Sequence, residues 1–353
     1  MSLYPIAERI EIAPAPGRDR PASLALVFLL DAAYLDAFRV FALSLAATGS
    51  FSRDPVIVLS PDSELLADPF IKRICDLPMH IGPAEIARFA KVRSGEIDAR
   101  FRLPWIAKFT FLKWLAYRNF GFAWHLIFDT DMLALRSLEP FAAAAGDNQF
   151  ICCPKFPARP APGRLVRTWH KLNLGDPSAE FRFLRAFLEK PHSIEASTRI
   201  NSGIQLAGPK FLTGDFAEEL LAIASAADYP NEQAVLTHYF RKSDGKGLAF
   251  RSPAYNFKAP SLAGLGTRQA NLLLPRIANL HFLGARKPWH ARSAPQLDLP
   301  ASLWWRQAAS MTRHADLFVA HELAAQAEAM APAVFPHSGG AAAIIPGPAL
   351  PPV

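Results

Sequence analysis

The apolar positions of the chain alternate between short continuous runs and helical spacings. Residues 24–30 form an unbroken apolar run, which is typical of a strand buried on both faces. Apolar residues at 35, 38, 42 and 45 then recur at the spacing of a helix. Further strands are predicted at 56–59, 124–128, 149–153 and 203–206, and further helices at 105–118, 216–223 and from an N-cap at Asn231 through Tyr239. Strands that alternate with helices predict an α/β fold with a mainly parallel mixed sheet flanked by helices.

The same pattern divides the chain into four segments. We predict a lead-in at 1–21, a single domain at 22–292, a helical C-terminal extension at 293–330 and a disordered tail at 331–353, which is rich in Ala, Pro and Gly. In the extension, Trp304 and Trp305 beside Arg306 predict either packing onto the domain, which is favoured, or an anchor at a membrane interface.

Composition limits the classes of partner. The chain has 353 residues, a hydrophobic content of 51% and a formal net charge of +7. The positive charge favours an anionic membrane face, a phosphorylated acceptor or nucleic acid, although a merely basic soluble protein remains an alternative. Three cysteines without metal spacing, Cys75, Cys152 and Cys153, fit a reducing cytosol. Without a signal peptide or a run long enough to cross a bilayer, the sequence predicts a cytoplasmic protein whose membrane contact, at the inner face, would be peripheral.

Two aspartates follow the strand predicted at 124–128. Asp129 and Asp131 are two positions apart, so in an extended segment their carboxylates point the same way. Two such carboxylates repel each other unless a cation or a hydrogen-bonding ligand lies between them. Hard oxygen ligands suit Mg²⁺ or Mn²⁺. Taken alone, the pair is equally compatible with a turn that carries two solvated aspartates.

A second motif favours the metal interpretation. His281 ends a predicted strand, Gly284 allows backbone to approach a ligand closely, and Pro288 restricts Lys287 to extended conformations. A histidine and a preorganised lysine at a strand end fit a metal ligand beside a phosphate-binding cation. The sequence therefore predicts a metal site made of Asp129, Asp131 and His281.

Together, the segments Phe128-Asp-Thr-Asp131 and His281-Phe-Leu-Gly-Ala-Arg-Lys-Pro-Trp289 resemble the retaining nucleotide-sugar glycosyltransferases of family eight, relatives of glycogenin and of bacterial lipooligosaccharide galactosyltransferases. The resemblance covers residues 22–292 and implies a single GT-A-type nucleotide-sugar-binding domain. Weaker similarities follow in the family's order at 27–34, 107–110, 200–203, 231–236 and 255–256.

The resemblance also implies roles for individual residues. It implies that Asp31 and Tyr34 hold the nucleoside and that Lys108 lies on the donor side, with Lys113 as the alternative on spacing. The residues that it implies around the sugar and the reacting carbon are Asn201, Glu232 and Gln233. Asp129, Gly284 and Lys287 are expected to contact the donor diphosphate.

The activity implied is metal-dependent, retaining transfer of a sugar from a nucleoside diphosphate sugar, with a UDP-hexose as the expected donor. The expected cofactor is Mn²⁺ or Mg²⁺. The expected partners are the nucleotide-sugar donor and a glycan, lipid-linked or otherwise anionic acceptor, with peripheral contact to an anionic membrane and without nucleic acid.

Two positions depart from the family pattern. Glu232 stands where the family commonly has Asp, and Ala33 stands where it often has a polar residue. These changes affect fine positioning and base recognition, respectively. Phosphatases of the haloacid dehalogenase type also carry Asp-x-Asp after a strand, but Leu133 stands where they need Thr or Val. A basic, non-catalytic protein that binds sugar nucleotides or nucleic acid is an alternative from another class, and it would not require the metal triad.

A basic segment at 148–175 is a candidate for binding the acceptor. Residues 148–175 contain no Asp or Glu but carry Lys155, Arg159, Arg164, Arg167 and Lys171. Four prolines favour an extended loop. The loop is predicted either to bind an anionic acceptor or to be a solvated basic loop.

Overall fold

The computed structural model describes residues 3, 6, 23–90, 92, 109–143, 145–146, 149–155, 177–195, 198–284, 287–290, 298–310 and 326. Lys108, most of the basic segment 148–175 and the tail 331–353 lie outside the described residues, so the predictions made for them remain predictions.

The strands of the described residues form two sheets. Their bounds are β1 (Leu24–Leu29), β2 (Val56–Ser60), β3 (Leu77–His80), β4 (Trp124–Phe128), β5 (Met132–Ala134), β6 (Phe150–Pro154), β7 (Ile200–Ala207), β8 (Leu248–Phe250), β9 (Phe257–Lys258) and β10 (Asn279–His281). The large sheet has the order β3-β2-β1-β4-β7-β6-β8, and the small sheet has the order β5-β10-β9. In the large sheet β7 runs antiparallel to both neighbours, whereas the other pairs are parallel. The predicted mixed, mainly parallel sheet is therefore confirmed.

Helices cover both faces of the large sheet. The α-helices are α1 (Leu35–Ala47), α2 (Ser63–Leu66), α3 (Pro69–Ile74), α4 (Pro83–Ala90), α5 (Glu139–Ala142), α6 (Pro177–Glu189), α7 (Asp215–Ala226), α8 (Glu232–Lys242), α9 (Ala259–Ala263), α10 (Thr267–Leu273) and α11 (Leu299–Ser310). Short 3-10 helices span Ala32–Tyr34, Leu112–Tyr117, Pro209–Phe211, Pro253–Asn256, Leu274–Arg276 and Pro288–His290. Asn231 caps α8 as predicted, since its Oδ1 accepts from the Ala234 backbone N–H at 3.1 Å.

The core lies on both faces of the central strands. Phe28 of β1 packs on one face, where its ring stacks on Phe128 of β4 at 5.6 Å. Val27 of β1 packs on the opposite face, in a second cluster that includes Trp114. Because successive strand residues point to opposite faces, both faces need apolar residues. The unbroken run at 24–30 therefore has the burial that its pattern predicts.

The helix predicted at 105–118 is confirmed at 109–117, where residues 109–111 are α-helical, but its amphipathic character is wrong over Leu112–Tyr117. The segment Leu112–Tyr117 is a 3-10 helix, and all six of its residues are buried, including Lys113. It packs against β1, β4 and α7. An amphipathic helix needs one solvated face, and this segment has none because the sheet and α7 cover it from two sides.

The C-terminal helix α11 packs onto the domain. Trp304 and Trp305 are buried, and the Trp304 ring lies 5.6 Å from that of Trp289. Burial of both indoles agrees with packing and excludes the alternative of an interfacial anchor for these two side chains. In the part of the chain that the structure describes, no helix has both the length and the apolar character needed to cross a membrane.

Candidate metal and donor site

The two aspartates occupy the three-residue link between the two sheets. The Asp129 backbone N–H donates to the Gly203 carbonyl of β7 at 2.8 Å. On the other side, the Asp131 carbonyl accepts from the Phe282 backbone N–H at 2.9 Å, directly after β10. Strand β10 pairs antiparallel with β5, which brings His281 opposite Met132. The main chain thus holds all three predicted metal ligands at the carboxyl end of β4.

The three side chains converge on one point. His281 Nε2 lies 3.4 Å from Asp129 Oδ2 and 3.1 Å from Asp131 Oδ1. One ligand atom from each residue lies within 4.8 Å of the others, and His281 and Asp131 are buried. The structure therefore brings His281 to Asp129 and Asp131, which lie about 150 residues earlier in the chain.

Asn256 orients the histidine. Its Oδ1 lies 2.8 Å from His281 Nδ1 and can only accept, so Nδ1 carries the proton and donates it. In neutral His281 the lone pair is then on Nε2, the nitrogen that faces the carboxylates. A hydrogen-bonding partner on the distal nitrogen is the usual support for a metal-bound histidine.

Two lysines neutralise the outer oxygens of the aspartates. Lys113 is hydrogen-bonded to Asp129 Oδ1, and Lys287 donates to Asp131 Oδ2 at 2.5 Å. Burial would lower the pKa of Lys113, but the charges of Asp129 and Glu232, together with the hydrogen bond to Asp129, outweigh burial and raise it. Burial would raise the pKa of Asp131, but Lys287 and the protonated form of His281 together outweigh burial and hold it well below its usual range. The Asp131 carboxylate is therefore ionised at neutral pH in this arrangement.

The inner atoms fit a divalent cation. When His281 is neutral, with its proton on Nδ1, and the outer oxygens are held by lysines, three lone-pair donors face one another: Asp129 Oδ2, Asp131 Oδ1 and His281 Nε2. Three facing acceptors repel each other unless a positive ion lies among them. Two carboxylates with one imidazole form a donor set that suits Mg²⁺ or Mn²⁺. The group can thus hold a divalent metal.

Gly203 makes this convergence possible. A Cβ atom at this position would lie 2.6 Å from His281 Nδ1 and 2.7 Å from the Met132 methyl group. Those distances are shorter than van der Waals contact, so only glycine lets β7 pass behind the His281 ring. Gly203 thus supports the metal site because a side chain at this position would collide with the His281 ring.

Asp31 and Tyr34, which follow β1, lie near Asp129 and Asp131. Asp31 caps the 3-10 helix Ala32–Tyr34 through a hydrogen bond of 3.2 Å from the Tyr34 backbone N–H, and burial raises the pKa of Asp31. Burial and then the charge of Asp131 raise the pKa of the Tyr34 hydroxyl. The Lys287 ammonium lies 5.6 Å from the centre of the Tyr34 ring and 5.7 Å from that of Trp289. The two rings fix the lysine by cation–π contact.

The three residues predicted around the reacting sugar lie on β7 and α8. Asn201 is buried, and its Oδ1 accepts from the Gly203 backbone N–H at 3.3 Å. Glu232 is 3% exposed and accepts from the Ser202 hydroxyl at 2.6 Å. Gln233 is half-buried in the first turn of α8. Ser202 thus links the two segments.

The remaining predicted residues are described in part. Gly284 is exposed and has a φ of 91°, a backbone conformation that favours glycine.

Lys113, which the sequence offered only as an alternative to Lys108, is the lysine that contacts Asp129. The sequence contains a signal for it, because Lys113 is the one charged residue in the apolar run 111–117. Ser202 and Asn256 lie within the weaker family similarities at 200–203 and 255–256, but the sequence did not predict their contacts with Glu232 and His281.

Two solved glycosyltransferases share this fold. The galactosyltransferase LgtC, in complex with donor and acceptor sugar analogs, is 17% identical, with a TM-score of 0.56 over 86% of this chain and 99% of that one. The apo form of the glycosyltransferase GlyE from Streptococcus pneumoniae TIGR4 is 15% identical, with a TM-score of 0.50 over 89% of this chain and 64% of that one. No protein-family model and no curated protein sequence matches this chain.

These likenesses define the class of fold. The chain has the GT-A-type α/β fold that the sequence predicts, and its structural neighbours are glycosyltransferases. Identities of 15–17% establish the shared fold only. What the chain does must be argued from its own site.

Proposed function

We propose that this protein is a metal-dependent retaining glycosyltransferase that moves a hexose from a UDP-hexose to an acceptor. The observation that carries the proposal is the convergence of three lone-pair donors between two buried lysines. Such a site provides concentrated positive charge once a divalent ion is bound, which is what a departing diphosphate requires. Retention of anomeric configuration and the hexose are proposed from the family resemblance.

The metal would be Mn²⁺, or Mg²⁺ in its place, held by Asp129, Asp131 and His281. When bound, it supplies Lewis-acid stabilisation of the diphosphate leaving group. Lys287 supplies a second positive charge, and Tyr34 with Trp289 keeps its ammonium in place. Lys113 holds Asp129 in the orientation that points Oδ2 inward. Gly284 is exposed three residues before Lys287, and it would allow a phosphate to approach the backbone.

The rest of the donor would lie between the first strand and α8. Asp31 and Tyr34 would bind the nucleoside, and Asp129 and Lys287 would face the diphosphate. Asn201, Glu232 and Gln233 would surround the sugar and the reacting carbon. The Ser202 hydroxyl donates to Glu232, and this hydrogen bond would hold the side chain in place beside the sugar. If the donor-side lysine is Lys113, its contact with Asp129 couples the sugar region to the metal site.

The acceptor and the cellular site are proposed from charge. A glycan, lipid-linked or otherwise anionic acceptor fits a chain with a net charge of +7. We propose that the protein works in the cytoplasm, where nucleotide sugars are made, with peripheral contact at the inner membrane face.

Hydrolysis of nucleotide sugars tests the proposal directly. The purified chain would be incubated with a panel of UDP-, GDP- and ADP-sugars, with Mn²⁺ and with a chelator. We expect slow, metal-dependent release of nucleoside diphosphate from a UDP-hexose, because water can replace a missing acceptor. Tight binding of a nucleotide sugar without hydrolysis or transfer would favour the alternative, a non-catalytic basic protein that binds sugar nucleotides or nucleic acid.

Lys287→Ala is expected to reduce catalytic efficiency far more than stability. The substitution removes a positive charge that would act on the departing diphosphate, which is worth roughly 2–4 kcal/mol by analogy with the loss of one oxyanion donor. We therefore expect kcat/KM to fall by roughly 30- to 1000-fold. Steady-state kinetics with the active donor measures this. Lys72→Ala on α3 is the matched control, since Lys72 is exposed. A near-normal kcat/KM in folded Lys287→Ala protein would show that Lys287 does not act on the departing diphosphate.

Gln233→Ala is expected to depress turnover while nucleotide binding persists. Gln233 neighbours Glu232 in the first turn of α8, and alanine preserves the helix because its helix propensity is the highest. Loss of one polar contact to the transition state is expected to lower kcat by roughly 10²-fold. Single-turnover kinetics and UDP titration separate the two effects. Gln269→Ala on α10 serves as the control. Weaker UDP binding with unchanged kcat would contradict this assignment.

A further inference from the structure

Strand β7 contains a bulge beside the candidate metal site. Gln205 of β7 pairs with Cys152, and Asn201 pairs with Cys153, so residues 202–204 have no partner among the described residues of β6. Bulges are frequent next to active sites, where they redirect backbone and side-chain groups. Residues 202–204 are called the β7 bulge below.

Two residues of the β7 bulge contact the candidate metal site. The Gly203 carbonyl accepts from the Asp129 backbone N–H at 2.8 Å, and Gly203 lies against the His281 ring. The Ser202 carbonyl accepts from the Lys113 ammonium at 3.2 Å, and the same ammonium is hydrogen-bonded to the Asp129 carboxylate. The conformation of the bulge therefore sets the positions of Asp129 and His281.

Gln205 and Tyr117 hold the β7 bulge by hydrogen bonds. Gln205 Nε2 donates to the Ser202 carbonyl at 2.6 Å, and this bond spans the bulge. The Tyr117 hydroxyl donates to Gln205 Oε1, which orients the amide with its nitrogen toward Ser202. Burial raises the pKa of the Tyr117 hydroxyl, which therefore keeps its proton. Because Ser202, Gln205 and Tyr117 are fully buried, bulk water does not compete for these bonds.

The surroundings of Tyr117 and Gln205 are apolar. The Tyr117 ring packs against Phe150 and Phe216, with ring centres 5.9 Å and 4.9 Å away. Polar groups in such a core are costly unless they are hydrogen-bonded, and an apolar pair of the same shape would fill the same space. What the polar pair adds is therefore its hold on the Ser202 carbonyl.

We propose that Gln205 and Tyr117 are positioning residues of the metal site: they fix the β7 bulge, which in turn holds Asp129 and His281 in the geometry that binds a divalent cation. Among the described residues, their side-chain hydrogen bonds lead only to each other and to the Ser202 carbonyl. Residues that support metal ligands from behind contribute about 10–100-fold to metal affinity. The inference rests on the proposed function, which is metal-dependent.

Calorimetric titration with Mn²⁺ alone tests this role without turnover. Gln205→Met keeps the length of the side chain but removes the donor to Ser202, and Tyr117→Phe removes only the hydroxyl. We expect Gln205→Met to weaken Mn²⁺ binding about tenfold or more and Tyr117→Phe to act in the same direction. Tyr239→Phe is the matched control and should bind Mn²⁺ like wild type, because the Tyr239 hydroxyl is hydrogen-bonded to Glu219 on α7.

A double variant separates positioning from stability. Each single substitution leaves a buried polar atom without its partner, whereas Gln205→Met with Tyr117→Phe replaces both partners by apolar groups of similar shape, which can be nearly neutral for stability. We therefore expect Tm to fall in each single variant and to recover in the double variant, while Mn²⁺ affinity stays as low as in Gln205→Met. Recovery of Mn²⁺ affinity together with Tm, or wild-type affinity in Gln205→Met, would overturn the positioning role.

The two proposals fail in different ways. Metal-dependent hydrolysis of a UDP-hexose by wild type, together with wild-type Mn²⁺ affinity in Gln205→Met, refutes the positioning role and leaves the proposed function intact. Mn²⁺ binding that depends on Gln205, without hydrolysis of any nucleotide sugar, supports the positioning role and refutes the proposed function. Binding of neither Mn²⁺ nor Mg²⁺ by wild type overturns both.

Discussion

Replacing Asp131 by Asn should abolish metal binding while the fold survives. The substitution keeps the size of the side chain but removes one of the two carboxylates that converge with His281 Nε2. Residues that merely orient a metal ligand contribute about 10–100-fold to metal affinity, so a direct ligand is expected to contribute more than about 100-fold. Mn²⁺ titration, followed by calorimetry, measures the affinity, and a chelator should reproduce the loss of transfer in wild type.

A matched substitution controls for the change in charge. Asp228 is exposed in the segment before α8, so Asp228→Asn removes the same charge outside the site. It should leave Mn²⁺ affinity and turnover at wild-type levels, with circular dichroism spectra that match in all three proteins. Transfer that resists the chelator, or wild-type affinity in Asp131→Asn, would refute the metal assignment.

Gly203→Ala should inactivate the protein although it adds a single methyl group. The new Cβ would lie 2.6 Å from His281 Nδ1, the nitrogen that Asn256 Oδ1 holds by a hydrogen bond. The ring must therefore move, and a displacement of about 1 Å in a catalytic site costs about 10²-fold in rate. Overpacking of this kind also costs roughly 1–3 kcal/mol of stability. We expect weaker Mn²⁺ binding and a kcat lowered about 10²-fold, in a protein that still folds.

Gly82→Ala provides the comparison. A Cβ at Gly82 meets no atom within 4 Å, so the same methyl group is expected to leave metal binding and kcat unchanged. Thermal denaturation of both variants separates a general loss of stability from a local effect on His281. If Gly203→Ala binds Mn²⁺ as tightly as wild type does, the close approach of β7 is not required for the site.

The local pattern of apolar residues was enough to predict the strands that carry the candidate site. The run at 24–30 and the segment 124–128, which is apolar except for His125, predicted buried strands because the side chains of a strand covered on both faces are mostly apolar. The acidic pair and His281 stood out as polar residues at the ends of such runs. Asn231 was recognisable because a capping side chain acts on a backbone N–H only three residues away.

Contacts between distant segments could not be predicted in the same way. The solvated face expected for the helix at 105–118 was wrong because burial on two sides depends on α7, which lies about 100 residues later. The contact between Asn256 and His281 depends on the pairing of β9 with β10, which no single segment encodes. The need for glycine at 203 follows only from the position of a ring about 80 residues further along the chain.

The order of the metal ligands along the chain has a consequence for biosynthesis. About 150 residues separate Asp131 from His281, and ribosomes add roughly 5–20 residues per second, so the acidic pair waits roughly 8–30 s for its third ligand. Trp304, which packs against Trp289 beside Lys287, arrives later still. If the proposed function is correct, a growing polypeptide therefore lacks the complete metal site until residue 281 has been added. A fragment that ends before residue 281 would then lack the proposed activity.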